Sequence, residues 1–397
     1  MFRRNFSMPN GLFGWFATAL VFLFLAGCTS MSGNGGGNLP VDQGPAAPTG
    51  EVIGSGTTRV AMLLPLTATG NAGNAARAFR NSAEMAMSDF PNVPISLIVY
   101  DTGGTPAGAQ AAAEKAVSEG TKIVLGPLFA SSVSAAAPVA RRANAPMVAF
   151  SSDTAVAGPG VYLLSFLPGS DAERIVSYAA REGRESFAAL LPNNAYGTVV
   201  DAAFRQAVAN AGGRVVAIEH YDLNDTDIRA KTADIAAISS RIDALFIPDA
   251  GQAPALISQA LGSAGSNIKL LGSGQWNDPA VLNNGALAGG WFPAPTRRTF
   301  DGFAARYRAA YGSEPPRNAT LAYDATVLAA GLVRQNPNDA FSASLLTNAN
   351  GFNGVDGVFR LKSDGTNQRQ LAVYEVTGSG ARLIDEAPRS FSGAGGF

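Results

Sequence analysis

The chain of 397 residues has a single cysteine and a single histidine. One cysteine rules out an internal disulfide, and no Cys/His zinc spacing can be assembled. Charge is also scarce: 15% of residues are charged, with a formal net charge of -1. That leaves no basic face to neutralise a row of phosphates, so nucleic acid is not an expected partner. No G-x-S-x-G nucleophile elbow occurs, and the glycine clusters GPGVY, GSGQW and GNGGG lack the lysine or the strand–GxGxxG–helix frame of a phosphate loop. His220 stands in the run VVAIEHYD, between Glu219 and Asp222, where a structural role outweighs a catalytic one. The expectation is a non-enzymatic protein without metal or cofactor.

What the chain does have is apolar residues, 47% of the total, enough for two core-forming domains. The N-terminus accounts for the cysteine. A basic MFRRN is followed by an apolar run over 12–27, short for a membrane span. The run stops at Leu25-Ala26-Gly27-Cys28. This arrangement resembles a bacterial lipoprotein signal, which implies cleavage of residues 1–27 and acylation of Cys28. Several acyl chains hold a protein stably on a bilayer, whereas one does not. Residues 28–58 are rich in Gly, Pro, Ser and Thr and read as a flexible tether, with the folded part starting at Arg59.

From Arg59 short apolar runs alternate with helical segments. The runs are 59–65, 95–101, 122–127, 146–151, 187–192, 213–221, 243–249 and 268–273. Between most of them lie helical patterns, such as 75–90 with Ala75, Phe79, Ala83 and Met87 on one stripe. Such alternation predicts an α/β fold of βαβ units with parallel sheets. Two stretches share one ten-residue phrase: AMLLPLTATG (61–70) and AALLPNNAYG (188–197). Each reads as a strand, a proline-containing loop and a helix, so each should open one of two similar lobes. Residues 352–376 read as a β-hairpin turning at Ser-Asp-Gly.

The succession AMLLPLTATG, VYDTGGTPAGAQAAAEKAV, IVLGPLFASSVSA, PMVAFSSDTAV, NNAYG, DLNDTDI and LAYDATVLAA resembles the type I periplasmic binding proteins of the Leu/Ile/Val-binding class. The resemblance implies two Rossmann-like lobes around a cleft, joined by three crossovers near 163–168, 289–294 and 354–360. Lobe 1 would comprise 59–165 plus 292–356, lobe 2 would comprise 166–291 plus 357–388, and 389–397 would be a disordered tail. GPLFASSV, AFSSDTAVAGPGVYLLSF, LLGSGQWNDP, GGWFPAP and GFNGVDGVFRL resemble, more narrowly, the penicillin-binding-protein activators. These are lipoproteins of the same fold that promote peptidoglycan synthesis. The partner implied is a penicillin-binding protein; the alternative is the permease of an ABC importer for branched-chain amino acids or related solutes. The small ligand implied is amino-acid-like or a cell-wall peptide. Thr29, which is not Asp, favours outer-membrane delivery by the sorting rule of such lipoproteins.

In open parallel sheets ligands sit at the carboxyl ends of strands, beside helix N-termini. The candidate contacts are therefore Thr67 and Thr69, Ser131 and Ser132, Ser151, Ser152, Asp153 and Thr154 from the first lobe. From the second they are Asn194, Tyr196, Asp249, Gln275 and Trp276. The hydroxyls of Ser131 and Ser132 suit either a carboxylate or a helix cap, and Asp153 either a ligand ammonium or an Asx-turn. Trp276 suits either stacking on a ligand or packing. Amino-acid binders of this class usually have a serine where Ala130 stands, and tend to carry a glutamate in the loop that reads GSGQW. Without it the ammonium of a standard amino acid lacks its counter-charge. The lipoprotein reading is checked directly: Cys28→Ala should abolish fatty-acid labelling, and persistent labelling would refute it.

Overall fold

The computed structural model describes residues 47–391; Cys28, the leader and the last six residues lie outside the described residues. The first sheet contains β1 (Glu51–Ile53), β2 (Thr58–Leu64), β3 (Ile95–Asp101), β4 (Ile123–Leu125), β5 (Met147–Ala149) and β6 (Val161–Leu163). The second sheet contains β7 (Ser186–Pro192), β8 (Arg214–Tyr221), β9 (Ala244–Ile247), β10 (Lys269–Gly272) and β11 (Trp291–Ala294). A small third sheet is built from β12 (Phe352–Gly354), β13 (Gly357–Leu361) and β14 (Asn367–Arg369), after which β15 (Ala372–Val376) and β16 (Ala381–Asp385) return to the second sheet.

The first sheet runs β1-β3-β2-β4-β5-β6 and the second β16-β15-β11-β10-β9-β7-β8. β2 to β6 pair in parallel, as do β7 to β11. Helices cover both faces, so β2 and β7 are apolar along their length rather than alternating. Every residue of β7 is buried. The fold is the α/β type expected, with the two parallel-dominated sheets in two lobes.

The repeated phrase takes the same place in both lobes. β2 lies between β3 and β4, and β7 between β8 and β9; each feeds a long helix, Gly70–Asp89 or Ala195–Asn210. The shared glycine serves two different ends. Gly70 adopts φ +64, a left-handed conformation that favours glycine, whereas a Cβ on Gly197 would lie 1.8 Å from the Pro192 carbonyl oxygen.

The chain passes from the first sheet to the second after β6, where 164–167 lead into the helix Pro168–Arg181, close to the expected 163–168. The next passage comes later than the sequence suggests. Trp291–Ala294 still pairs with β10 and β15, and the chain leaves only at Pro295 and Thr296 for the helix Arg297–Tyr311. The last passage is displaced too. Phe359 and Leu361 bury into the first lobe's core, because β13 alternates these large apolar groups with Val358 and Arg360. The return to the second sheet is therefore at Gln370 and Leu371. The hairpin expected over 352–376 is narrower, with β13 and β14 pairing antiparallel around Ser363-Asp364-Gly365, while β12 adds a third strand and Ala372–Val376 pairs in the second sheet.

The last part of the segment expected to be a tether, 28–58, carries a strand. β1 pairs antiparallel with β3 and covers what would be an open sheet edge. The segment is anchored at Thr49, whose N–H and hydroxyl both donate to the Glu119 carboxylate. The Tyr100 hydroxyl donates to the same carboxylate. Burial opposes ionisation of Glu119, but the bonds from Tyr100 and Thr49 outweigh it and hold the carboxyl below its ordinary value. A depressed folded-state value means the stabilisation is present above the unfolded value of 4.5 and is lost as pH falls through the folded one. Glu119→Gln should thus cost roughly 1–2 kcal/mol at neutral pH. The difference should fade in acid, and amide exchange at Glu51–Ile53 should accelerate. Equal denaturation midpoints at pH 7 would contradict this anchoring.

Candidate functional site

The strand ends carry the loops on which ligand contacts were expected, and Ser151, Asp153, Asn194 and Asp249 among those side chains are engaged by the protein itself. Asn194 caps the helix Ala195–Asn210, its Oδ1 accepting from the Gly197 N–H at 3.0 Å. Asp153 accepts from the Ala155 N–H at 2.9 Å, and the Ser151 Oγ accepts from the Asp153 N–H at 3.1 Å. Asp249 accepts from the Tyr221 hydroxyl at 2.8 Å and from the Ala250 N–H at 2.8 Å. Thr67, Thr69, Ser131 and Ser152 are exposed and Thr154 is half-buried, while Ser132 is wholly buried. Trp276 requires a correction: it is 0% exposed and packs in the second lobe's core. A Cβ on Gly272 would lie 2.1 Å from its indole ring, so that strand holds a glycine and the ring cannot reach a ligand.

A cavity of about 280 Å³ lies instead where the three passages meet. The first passage contributes Phe166, Leu167 and Pro168, the second Ala294 and Pro295, and the third Arg369 and Leu371. Of the thirteen expected contact residues, Tyr196 and Gln275 reach this cavity; the other eleven do not line it. Tyr196 is half-buried and its hydroxyl donates to the Pro248 carbonyl at 3.2 Å. Burial pushes that hydroxyl up to about 12.

Three charged residues of the wall were missed in the sequence. Asp171 sits in the first turn of the helix Pro168–Arg181 and accepts from the Gly274 N–H at 2.9 Å. An acidic residue there reads as an ordinary dipole partner, which hid it. Burial pushes its carboxyl up to about 7, although the Gly274 N–H pulls the other way. Arg317 and Arg369 were masked by their polar neighbours, EPPRNAT and TNQRQL. The available signal was register: in a strand, Asn367, Arg369 and Leu371 share one face, and that face is buried.

The two arginines belong to one cluster of charge, in which Arg369, Asp324 and Asp356 are buried and Arg317 is half-buried. Arg317 pairs with Asp356, which is 0% exposed and also accepts from the Thr320 hydroxyl at 2.5 Å. The Arg317 guanidinium stacks 4.0 Å from the centre of the Phe300 ring. The Arg369 guanidinium lies over the rings of Phe166 and Phe359, 5.1 and 5.3 Å from their centres. Its nearest carboxylate is Asp324, at 3.8 Å. Burial pushes Asp324 up to about 7, while Arg369 pulls it down and Asp356 adds repulsion. Asp324 also accepts from the Val355 N–H at 2.8 Å.

The inventory around the cavity is one of recognition: cations, a carboxyl, an amide and a phenol on an apolar wall. His220 lies elsewhere, its Nε2 3.5 Å from Asp201. Among the described residues no group of acidic, histidine or cysteine side chains is placed to hold a metal ion, and no helix is long and apolar enough to cross a membrane.

Asp171 makes the cavity pH-sensitive. A carboxyl raised in the folded state makes the folded form bind more protons between the unfolded value of 3.8 and about 7. Stability therefore falls as pH rises through that window. Asp171→Asn keeps an acceptor for Gly274 and should remove the Asp171 share of the slope, leaving that of Asp324. The variant should match the wild type near pH 4 and exceed it at pH 8 by about 1 kcal/mol, discounted for partial solvent contact. Parallel stability–pH curves would contradict the assignment.

Comparison with known proteins adds the following. Residues 57–381 match the family model described as periplasmic binding protein. An uncharacterised protein of Rickettsia prowazekii is 23% identical over 158 residues, 40% of this chain and 42% of that relative, so the match spans well under half of its length. A putative branched-chain amino acid ABC transporter from Rhodospirillum rubrum superposes with a TM-score of 0.71 at 20% identity, covering 82% of this chain and 99% of that one. The C-domain of LpoA from Haemophilus influenzae, a regulator of PBP1A, gives a TM-score of 0.67 at 17% identity, covering 82% of this chain and 100% of that one. At such identities the solved structures show a shared fold. The family match, which spans most of the described chain, shows more: this chain belongs to the periplasmic binding protein family.

Proposed function

We propose that this protein is a non-enzymatic regulatory lipoprotein, tethered through Cys28 to the outer membrane, that docks a penicillin-binding protein and promotes peptidoglycan synthesis. One observation carries the reading. Asp153, Asn194 and Asp249 are three of the side chains expected on the cleft loops, and all three are engaged by the protein itself, Asp153 and Asn194 within their own loops and Asp249 by Ala250 and by Tyr221 of β8. Charged and amide groups already engaged in this way suit a body that presents its surface to another protein. Gln275 supports it, since a neutral amide stands where a counter-charge for an ammonium was expected. The fold shared with a domain of a PBP1A regulator is consistent with it.

The second reading is the binding component of an ABC importer for branched-chain amino acids or related solutes. The cavity at the passages and the fold shared with the Rhodospirillum rubrum protein favour it. The two readings separate in one pair of assays. The soluble protein should co-purify with a penicillin-binding protein of its own cell and raise its glycan polymerisation rate. Its melting temperature should not move with leucine, isoleucine or valine, because a ligand stabilises only what it binds. A shift with one of these at low micromolar concentration, together with no association with any synthase, would reverse the assignment.

A further inference from the structure

A second pocket, of about 510 Å³, opens within the second lobe. Its walls come from the amino ends of parallel strands. Arg184 stands just before β7, Lys269 opens β10, and Gly289 and Gly290 lead into β11. The cavity at the passages draws instead on Gly274, Gln275 and Ala294, at or beyond the carboxyl ends of β10 and β11. The two therefore lie at opposite ends of one sheet.

This second pocket gathers two cations, and no acidic residue contributes to its lining. Arg184 is half-buried. Among the described residues its guanidinium makes no hydrogen bond and no ion pair, and its Nε is buried without a partner. The carboxylate that acts on it, Asp243, is engaged elsewhere: its Oδ2 accepts from the Glu185 and Ser186 N–H groups and from the Ser186 hydroxyl. Lys269 is held in place by neutral groups. Its ammonium donates to the Gly289 carbonyl at 3.0 Å and lies 4.4 Å from the centre of the Trp291 ring. Burial pushes it below its ordinary value; Glu375 pulls the other way and Arg184 adds repulsion. Glu375 is itself bonded by the Trp291 indole N–H and by Arg382. Two like charges sharing a half-buried recess repel, and an anion bound to both removes that repulsion.

The donor set narrows the choice of anion. A fork and a point charge from separate segments suit an oxyanion with several acceptor oxygens and more than one negative charge. Ser266 and Asn267 stand exposed in the lining, and among the described residues neither side chain makes a hydrogen bond. A hydroxyl and an amide suit a hydroxylated body. We infer that this pocket binds a small phosphate ester, its phosphate on Arg184 and Lys269 and its hydroxyl groups toward Ser266 and Asn267. The inference goes beyond the docking reading and does not rest on it. Synthase stimulation is measured without added ester, so either can fail alone. Two sources offer this chemistry, a soluble ester and a phospholipid headgroup, and the test separates them.

The test uses the folded, soluble protein with glycerol 3-phosphate, glycerol, inorganic phosphate, and phosphatidylcholine vesicles with and without phosphatidylglycerol. Calorimetry and thermal shift should show glycerol 3-phosphate binding more tightly than inorganic phosphate, with no response to glycerol. Arg184→Gln and Lys269→Met should each weaken that binding by roughly tenfold or more, the scale of a lost charge-assisted hydrogen bond. Retention on vesicles only when they contain phosphatidylglycerol, lost in both variants, would assign the site to a headgroup. Binding of the soluble ester without retention would assign it to a free ester. Three results would overturn the inference: no response to millimolar glycerol 3-phosphate, a response no stronger than that to glycerol or inorganic phosphate, or unchanged affinity in a folded variant of either cation. The contrast between ester and glycerol in the wild type needs no variant.

Discussion

Charge buried beside the last passage between the lobes constrains the rest of the molecule. Asp356 is wholly buried and Asp324 nearly so, and neither can be left alone there. Arg317 and Thr320 satisfy the first; the Val355 N–H bonds one oxygen of the second, and Arg369 lies 3.8 Å from the other. A buried ion pair of this kind adds little net stability over an apolar replacement, yet removal of one partner is severe. Its consequence is therefore geometric. Asp324 and Arg317 belong to the first lobe, and Arg369 ends the strand that leads into the second, so the pairing fixes where that strand departs.

Other bonds extend the same constraint to the first passage. The Asn367 amide donates to the Ser165 carbonyl at 2.8 Å, and the Leu163 N–H donates to the Gly365 carbonyl at 2.7 Å. On the second-lobe side Arg174 donates to the Leu371 carbonyl and pairs with Asp385 at 2.7 Å. Two passages are thus laced together by polar contacts of high specificity, and the cavity forms beside that lacing. This placement explains how polar side chains can be engaged at the strand ends while a recognition-like wall persists between the lobes.

Much of the architecture was legible because it depends on local pattern. The alternation of apolar runs and helical stripes gave both sheets, and the phrase shared by 61–70 and 188–197 marked the equivalent central strand of each lobe. β6 and β11 were not legible as strands: they lie among glycines and prolines and have too few residues for a period, although the equally short β4, β5, β9 and β10 fall within longer apolar runs. The segment at 51–53 looked like tether because its partner, the edge of β3, is distant in sequence. The site was less legible still. Residues were sought on strand-end loops, where Tyr196 and Gln275 were found, while Arg317 and Arg369 acquire their meaning only when three separate chain passages meet. Trp276 shows the converse: an aromatic on a cleft loop in the sequence turns inward because Gly272 leaves room for its ring.

The central claim, that paired buried charges fix the passages between the lobes, is tested most directly by a double-mutant cycle on Arg317 and Asp356. Arg317→Met orphans the wholly buried Asp356 and should destabilise by about 3–5 kcal/mol, whereas Asp356→Leu leaves a guanidinium that is 31% exposed and should cost less. The double variant should lose far less than the sum, giving a coupling of at least about 1 kcal/mol. Strictly additive losses would show that the two residues act independently, and would contradict the account.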